Sequence, residues 1–331
     1  MRRIRWTAPG WLYIVSIGVW FVLRVWLFDG LWWLAILNTV AFYLFVPLGI
    51  LIPLALIARR WHLAGGLLLP LALFFVLFGP ILLPRNHPAP NSTTDLRVMT
   101  FNILGCNQHC DAVAQLITAA RPDIVGMQEL NAESARVLSQ RLAAQYPHQA
   151  LPQTTGVDGM GLFSRFPLHE VKPVALPPLN LAIRATVDLA AQPVTVLVVH
   201  LTPNLLFHTP VQQWPAYAQM NYAQRQAEIA RLSAIVHAEQ HPVLVLCDCN
   251  LSDTSEAYHM LRAVLQDTFA DAGWGLGHTV ILGGVPIPLQ RLDYIWRSRS
   301  WLAIEARVGG SAGGSDHRPV IATVRLAAAI P

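Results

Sequence analysis

Polar side chains interrupt or follow several apolar runs of this 331-residue chain, at points where strands are expected to end. Carboxylates and amides supply the hard oxygen ligands that Mg²⁺ or Mn²⁺ takes, and two histidines without a third histidine or cysteine ligand do not indicate zinc. If these strand ends meet at one edge of a sheet, the cleft suits metal-assisted phosphoester hydrolysis, in which a carboxylate activates water. The residues that interrupt or follow apolar runs are Asn102, Glu129, His200, Asp248 and Asn250. Asp293, Asp316 and His317 lie instead at or just before the start of later strands.

The elements that must position these residues alternate between apolar strands and amphipathic helices from about residue 96 onward. Residues 181–200 have the pattern of a hairpin, so a mixed sheet arrangement is expected. Two sheets packed between helices therefore fit better than a single parallel sheet. We predict strands over 96–103, 123–128, 161–164, 181–189, 194–200, 243–247, 292–296 and 320–325, and helices over 111–120, 131–144, 222–239 and 254–264.

The motifs in this region, taken in order, resemble the endonuclease/exonuclease/phosphatase superfamily over residues 96–326. The motifs are Thr-Phe-Asn at 100–102, Gln-Glu at 128–129, Ser-Arg-x-Pro at 164–167, His-Leu at 200–201, Asp-x-Asn at 248–250, Arg-Leu-Asp-Tyr-Ile at 291–295 and Ser-Asp-His-Arg-Pro at 315–319. Each motif is weak alone, and their common order is specific. The resemblance implies an α/β (α+β) four-layer sandwich, with two mostly antiparallel sheets flanked by helices. It also implies a Mg²⁺-dependent phosphoesterase, with Mn²⁺ as the alternative ion.

The resemblance also implies a role for each site residue. Glu129 is expected to be the principal metal ligand, with Asn102 beside it and Asp316 contributing to the same site. Asp248 is expected to orient or deprotonate the attacking water, and Asn250 to bind phosphate. His200 corresponds to a phosphate contact or leaving-group acid. His317 is expected to contact the scissile phosphate or act as base, oriented by Asp293.

The sequence departs from the family pattern around Asp248, where the usual Gly-Asp-x-Asn becomes Cys247-Asp248-Cys249-Asn250. Both polar residues of the motif are kept, so the residues still indicate an active enzyme. The other two cysteines, Cys106 and Cys110, are separated by three residues and are able to bridge each other. A direct bridge between Cys247 and Cys249 is expected to be strained. Disulfides, free thiols and a metal site all remain open for the four cysteines.

Residues 1–84 differ in composition and predict a membrane region. Its apolar stretches over 11–28, 31–58 and 63–83 are each long enough to cross a bilayer. Arginines precede the first stretch and separate the second from the third, which places these ends in the cytoplasm by the positive-inside rule. Three crossings then put a domain of residues 96–331, behind a linker over 85–95, on the extracytoplasmic side of the inner membrane.

The charge divides with the composition. Up to residue 91 the chain carries seven basic residues and one acidic residue, whereas the remainder carries 16 basic and 18 acidic residues. The basic pI therefore belongs to the membrane region. The remainder has a single lysine, Lys172, which argues against nucleic acid as the favoured partner.

The apolar segment 203–222, which follows His200, has no clear periodicity and is predicted to be a long loop. It either packs on its own domain or forms a lip that admits a lipid. We therefore expect a membrane-anchored hydrolase of small or lipid phosphodiesters, with the lipid bilayer and the phosphoester as partners. An extracytoplasmic nuclease and a non-catalytic membrane scaffold are the alternatives.

Overall fold

A computed structural model describes residues 7–83, 95–106, 109–151, 159–177, 180–190, 192–204, 206–281 and 288–327. The chain divides into two compact units. The first comprises residues up to Leu83 together with Leu205–Tyr222 and Thr254–Glu256, and the second comprises the rest. The predicted linker over 85–95 lies outside the described residues except for Asp95, which begins the first strand.

The first unit is built mainly from apolar helices. Two of these helices, Ala8–Leu27 and Trp61–Leu82, are long and apolar enough to cross a membrane, and they match the predicted stretches 11–28 and 63–83. The predicted stretch 31–58 is instead a helix pair bent by 77°, so three crossings are counted only if this pair forms one of them. The helices are α1 (Ala8–Leu27), α2 (Trp32–Thr39), a 3₁₀ helix (Ala41–Phe45), α3 (Leu48–Ile57) and α4 (Trp61–Leu82).

A buried amide lies just before the bend between α2 and α3. Trp20 Nε1 donates to Asn38 Oδ1 at 3.1 Å, and Asn38 Nδ2 donates to Asp29 Oδ1 at 2.8 Å. The other carboxylate oxygen of Asp29 accepts the backbone N–H of Glu256 at 2.7 Å. A buried polar group is tolerated in apolar surroundings when it is hydrogen-bonded in this way.

The second unit alternates strands and helices. Several of its helices are amphipathic, and several of its strands have every residue buried. In chain order the elements are β1 (Asp95–Asn102), α5 (Cys110–Ala120), β2 (Ile124–Gln128), α6 (Ala132–Leu142), β3 (His148–Ala150), β4 (Met160–Ser164), β5 (Leu168–Leu176), β6 (Asn180–Asp188), β7 (Pro193–His200), α7 (Trp214–Ala238, which starts in the first unit), β8 (Val243–Asp248), α8 (Glu256–Val264), β9 (Gln266–Asp267), α9 (Thr268–Ala272), β10 (Val280–Ile281), β11 (Pro288–Gln290), β12 (Asp293–Arg297), β13 (Trp301–Val308) and β14 (Val320–Leu326).

Two mixed six-stranded sheets form the body of this unit. The first has the order β13-β14-β1-β2-β4-β3 and the second β5-β6-β7-β8-β12-β9. Only the pairs β1–β2 and β7–β8 are parallel among the described strands; the other pairs are antiparallel. This agrees with the expectation of two mostly antiparallel sheets.

The main core lies between the two sheets, and helices cover their outer faces. Val98 and Ile124 of the first sheet and Val198 and Leu246 of the second are all fully buried in one cluster. A second cluster packs α5 and α6 on the first sheet, and a third packs the C-terminal part of α7 with α8 on the second. Burial of apolar surface from both sheets holds their edges in alignment.

Gly126 lies where β2 packs closely against the opposite sheet. A Cβ atom at this position would lie 2.8 Å from Cβ of Leu246 and 3.1 Å from a methyl carbon of Val198. The absence of a side chain on β2 therefore lets β8 of the opposite sheet lie closer. This contact therefore lies between two strands, β2 and β8, that carry site residues at their ends.

Two parts of the sequence-based interpretation needed correction. The predicted loop over 203–222 is helical from Trp214, because α7 begins eight residues before the predicted start at 222. The strands that were not predicted are β3, β5, β9, β10, β11 and β13. β5 is an edge strand with mostly exposed residues and an internal Pro173, so it lacks the apolar alternation by which strands are recognised.

Candidate active site

The strand ends bring most of the predicted residues together. The parallel pairing of β1 with β2 aligns Asn102 with Gln128, the residue before Glu129. In the other sheet, His200 is aligned with Asp248, and Asp248 with Asp293. The site is therefore assembled at one edge of two stacked sheets, as expected from the sequence pattern.

Asn102 connects the two sheets. Its side-chain Nδ2 donates to Glu129 Oε1 and to Asp248 Oδ2, both at 2.8 Å. Its Oδ1 accepts the backbone N–H of Leu104 at 3.0 Å, which fixes the orientation of the amide. In this orientation the amide nitrogen faces the carboxylates, and the predicted role of Asn102 in metal binding stays a prediction.

Glu129 and Asp248 place two carboxylates beside the imidazole of His200. Nε2 of His200 lies 3.9 Å from Glu129 Oε1 and 3.6 Å from Asp248 Oδ2. Glu129 has a left-handed backbone, with φ of 54°. This conformation is uncommon for a residue with a side chain, and it turns the carboxylate away from the direction that β2 would otherwise give it.

Asp293 and His317 form a buried pair on the opposite side of Asp248. His317 Nδ1 lies 2.8 Å from Asp293 Oδ2, and its Nε2 lies 3.9 Å from Asp248 Oδ2. Burial alone would lower the pKa of His317, but the carboxylates of Asp293 and Asp248 raise it to about 10. Burial raises the pKa of Asp293, with a further contribution from Asp248, while His317 opposes the change. Attraction between the two groups therefore favours a protonated His317 hydrogen-bonded to Asp293.

Asn250 lies in the loop that follows Asp248. Its backbone N–H donates to Asp248 Oδ1 at 3.1 Å, and its side-chain Nδ2 donates to Leu201 O at 2.9 Å. Its carbonyl oxygen accepts a hydrogen bond from Arg225 of α7. The hydrogen bond to Asp248 therefore fixes the position of the Asn250 backbone relative to the Asp248 carboxylate.

Asp316 stands apart from the other predicted residues. Its side chain is exposed, with Oδ1 3.5 Å from Ser315 Oγ. The two groups of His, Asp and Glu that could hold a cation in the described part of the chain are Glu129–His200–Asp248 and Asp248–Asp293–His317. Asp316 belongs to neither, so its proposed contribution to a metal site stays a prediction.

The chemistry of the donor set fits a divalent cation. The only ion pairs of Glu129 and Asp248 within the described residues are with histidines, so no lysine or arginine neutralises these two carboxylates. Oδ1 of Asp293 is buried and has no hydrogen-bond partner among the described residues. Converging carboxylate oxygens with little compensating charge favour a hard cation such as Mg²⁺ or Mn²⁺.

Two residues of the site were not assigned a role from the sequence. Ser315 Oγ donates to Asn102 O at 2.8 Å and accepts the backbone N–H of His317 at 3.0 Å. Arg225 donates to the carbonyls of Asn250 and Thr202. Ser315 lies within a motif that was recognised, whereas Arg225 lies on an amphipathic helix where no local signal distinguishes it.

Both cysteine pairs are bridged in the structure. Cys106 is joined to Cys110 and Cys247 to Cys249, so the described cysteines include no free thiol. The first bridge agrees with one of the alternatives from the sequence. A direct bridge between the second pair was expected to be strained, because the two side chains point to the same side of a strand end. Here the Cα atoms are 5.2 Å apart, within the range that a disulfide spans.

The comparison with known families agrees with this geometry. Residues 99–317, more than half of the chain, match the model of the Endonuclease/Exonuclease/phosphatase family. This chain belongs to that family. The matched segment contains all eight of the predicted site residues. No curated protein sequence is similar enough to count as a relative.

Solved structures of family proteins share the fold at low sequence identity. An endonuclease/exonuclease/phosphatase from Beutenbergia cavernae is 21% identical, with a TM-score of 0.56 over 70% of this chain and 72% of that one. TDP2 of D. rerio, complexed with a single strand DNA product, is 18% identical, with a TM-score of 0.55 over 70% and 99%. The human Nocturnin catalytic domain with bound sulfate is 20% identical, with a TM-score of 0.54 over 71% and 94%.

Proposed function

We propose that this family member is a membrane-anchored, divalent-metal-dependent phosphoesterase, and that its substrate is a small or lipid phosphodiester. The observation that carries the proposal is the convergence of Glu129, His200 and Asp248 beside the buried Asp293–His317 pair. A binding module has no need for this arrangement, which makes the non-catalytic scaffold a weaker alternative.

The residues have distinct roles in the proposed reaction. A divalent cation bound at Glu129 and Asp248 would neutralise phosphate charge in the in-line transition state. Asp248 is placed to orient and deprotonate the attacking water, because Asn102 and the Asn250 N–H hold both of its oxygens. His317, as an imidazolium, contacts a phosphate oxygen through Nε2, and Asn250 provides a second polar contact.

His200 completes the proposed site on the side opposite His317. Its Nε2 lies near both metal-binding carboxylates, at 3.9 Å from Glu129 and 3.6 Å from Asp248. At this position it contacts the phosphate or donates a proton to the leaving group. His200→Ala should therefore lose more activity on a substrate with a poor leaving group than on a nitrophenyl ester.

Hydrolysis of bis-p-nitrophenyl phosphate by the full chain in detergent tests the enzyme assignment. We expect activity that requires Mg²⁺ or Mn²⁺, is abolished by EDTA and is largely lost in Glu129→Gln and His317→Ala. His169→Ala is a matched control, because His169 forms an exposed pair with Asp188 at 3.0 Å. Full activity of His317→Ala, or equal losses in both histidine variants, would overturn the assignment.

The lipid preference is supported by the segment after β7. Leu205–Tyr222 belongs to the same compact unit as the apolar helices. Val211 and Met220 of this segment are 65% and 49% exposed, which leaves apolar surface available to a lipid. His200 precedes the segment by only five residues, so the chain itself links the proposed lip to the site.

A substrate comparison tests this preference. Val211→Ser with Met220→Gln should reduce hydrolysis of a phospholipid in vesicles while leaving hydrolysis of bis-p-nitrophenyl phosphate unchanged. Leu302→Gln is the control, since Leu302 is 46% exposed on β13 of the other unit. Equal losses on both substrates would contradict a lipid-specific role for the segment.

The proposed location is the extracytoplasmic side of the inner membrane. The arginine distribution supports this orientation. The two disulfides also support it, because disulfides persist in oxidising compartments. Protease treatment of intact spheroplasts is the test. Cleavage within residues 96–331 without lysis supports the orientation, and protection of this region until lysis contradicts it.

A nuclease is the second candidate, because the similar TDP2 structure contains a DNA product. The second unit has a basic groove of about 1100 Å³, whose lining includes Arg97, Arg121, Arg141 and Arg165. Arg97, however, precedes Asn102 by five residues on β1, which corresponds to roughly 16 Å along a strand. A panel of lipid, nucleotide and DNA substrates at fixed Mg²⁺ separates the two candidates.

A further inference from the structure

The loop that carries Asn250 needs support from its surroundings. The loop runs from Cys249 to Asp253, between β8 and the start of the following helix region. Asn250 has a left-handed backbone with φ of 48°, a conformation that asparagine adopts more readily than most residues with a side chain. The contacts at the two ends of the loop set the position of its side chain.

The first half of the loop is held by hydrogen bonds to β12 and the residues before it. The backbone N–H of Cys249 donates to Leu292 O at 2.9 Å. The hydroxyl of Tyr294 is 2.9 Å from Leu251 O and 3.0 Å from Arg291 O. The strand that carries Asp293 and the loop that carries Asn250 are therefore directly connected.

The end of the loop is held by a buried arginine. Nη2 of Arg291 lies 3.2 Å from Asp253 Oδ2 and 2.9 Å from Asp267 Oδ2. Its guanidinium carbon lies 4.7 Å from the ring centre of Tyr294 and 5.4 Å from that of Phe269. Arg291 belongs to the Arg-Leu-Asp-Tyr-Ile motif, yet it touches none of the proposed catalytic side chains.

The environment of Arg291 favours a positioning role over a stabilising one. The residue is 5% exposed, and its Nε and Nη1 atoms have no hydrogen-bond partner among the described residues. Burying a charge with incomplete hydrogen bonding costs free energy, and buried ion pairs often contribute little net stability. What this pair does provide is a fixed geometry between Asp253 and the strand that begins at Asp293.

We infer that Arg291 is a positioning residue for Asn250 and acts through Asp253. Asp248 fixes the beginning of the loop and the Arg291–Asp253 pair fixes its end, so Asn250 is held between two anchored points. The inference rests on the proposed function for its effect on catalysis. Its structural part, the restraint of the loop, does not depend on the substrate.

Asp253→Asn is the test variant, because it weakens the tie to the loop and leaves Arg291 paired with Asp267. Asp271→Asn is the matched control. Asp271 also pairs with a buried arginine, Arg297, at 2.7 Å, and its side chain is 25% exposed compared with 29% for Asp253. Asp271 has no contact with the loop among the described residues.

The first readout is hydrogen exchange of the full chain in detergent. The amides of Asn250 and Leu251 should exchange about tenfold faster in Asp253→Asn, with core strands unchanged, and should not change in Asp271→Asn. Unchanged exchange in Asp253→Asn, or faster exchange throughout the unit in both variants, would overturn the inference. This readout decides it even if none of the tested substrates is hydrolysed.

The second readout is a double-mutant cycle with Asn250→Ala on bis-p-nitrophenyl phosphate. We expect Asp253→Asn alone to lower kcat about 10- to 100-fold with little change in KM, since small displacements of site residues are costly. In the Asn250→Ala background it should add less than about twofold. Additive losses would show that Asp253 acts independently of Asn250 and would refute the positioning role. Absent wild-type hydrolysis would count against the proposed function only.

Discussion

Asn102 Nδ2 lies 2.8 Å from Asp248 Oδ2, although the two residues are 146 positions apart and belong to different sheets. The same nitrogen reaches Glu129 Oε1. A neutral amide therefore holds together two carboxylates that would otherwise repel each other. This contact joins the two sheets at the edge where the proposed reaction takes place.

Replacing the bridging amide by a carboxylate should make the stability of the protein depend on metal. Asn102→Asp brings a third negative charge to the site, so we expect unfolding in EDTA to be easier by about 1–3 kcal/mol. Saturating Mg²⁺ should recover part of this loss, because a cation neutralises the added charge. Thermal unfolding with and without Mg²⁺ measures the effect. A loss of the same size in both conditions would contradict the electrostatic explanation.

Removing the Asp293 carboxylate, which is hydrogen-bonded to His317, should impair catalysis more than folding. Asp293→Asn leaves the imidazole without its charged partner, and we expect kcat to fall by about 100-fold or more. Asp188→Asn alters the exposed pair with His169 and should have no measurable effect. Steady-state kinetics with circular dichroism of both variants makes the comparison. An active Asp293→Asn variant would remove His317 from the proposed mechanism.

The pair of Arg184 and Glu239 should make stability depend on acid pH. Arg184 is 8% exposed and donates to both carboxylate oxygens of Glu239 at 2.8 Å. This hydrogen bonding from Arg184 lowers the pKa of Glu239 below its ordinary 4.5. The stabilisation is therefore fully present above about pH 4.5 and is lost as the pH falls through the lower folded-state pKa.

Comparison of two glutamine variants checks this pH dependence. Glu239→Gln should be less stable than wild type by about 1–3 kcal/mol at neutral pH, and the difference should shrink as the pH falls from about 5 to about 3. Glu170→Gln is the control, because Glu170 also pairs with Arg184 but its side chain is 70% exposed. A pH-independent difference for Glu239→Gln would rule out the ionised pair as its cause.

The close approach at Gly126 should not tolerate a side chain. Gly126→Ala places a methyl group 2.8 Å from Leu246, which must force the sheets apart. We expect a destabilisation of about 1–3 kcal/mol and a fall in activity, because Glu129 and Asp248 lie at the ends of the strands concerned. Gly310→Ala, where no atom lies within 4 Å, should change neither. Denaturant unfolding and kinetics of the two variants decide whether the sheet separation sets the site geometry.

The order of short polar motifs was enough to predict the family, and the strands that end in site residues were recognised from their apolar runs. β2 and β8 are fully buried, so each is a continuous apolar segment that ends in polar residues. The edge strand β5 and the helical start of α7 were missed. In both places the residues are largely exposed and carry no regular apolar pattern, so local sequence held little information about the structure.

The chain by itself determined its two-part composition, the apolar helices long enough to cross a membrane, and the residue types that meet at the proposed site. Only the tertiary structure decided how these residues meet. The bridge from Asn102 to Asp248, the bond between Cys247 and Cys249 and the tie from Arg291 to Asp253 depend on how sheets and loops pack. Periodicity reports which face of an element is buried, whereas distances between elements follow from packing across the core, as at Gly126.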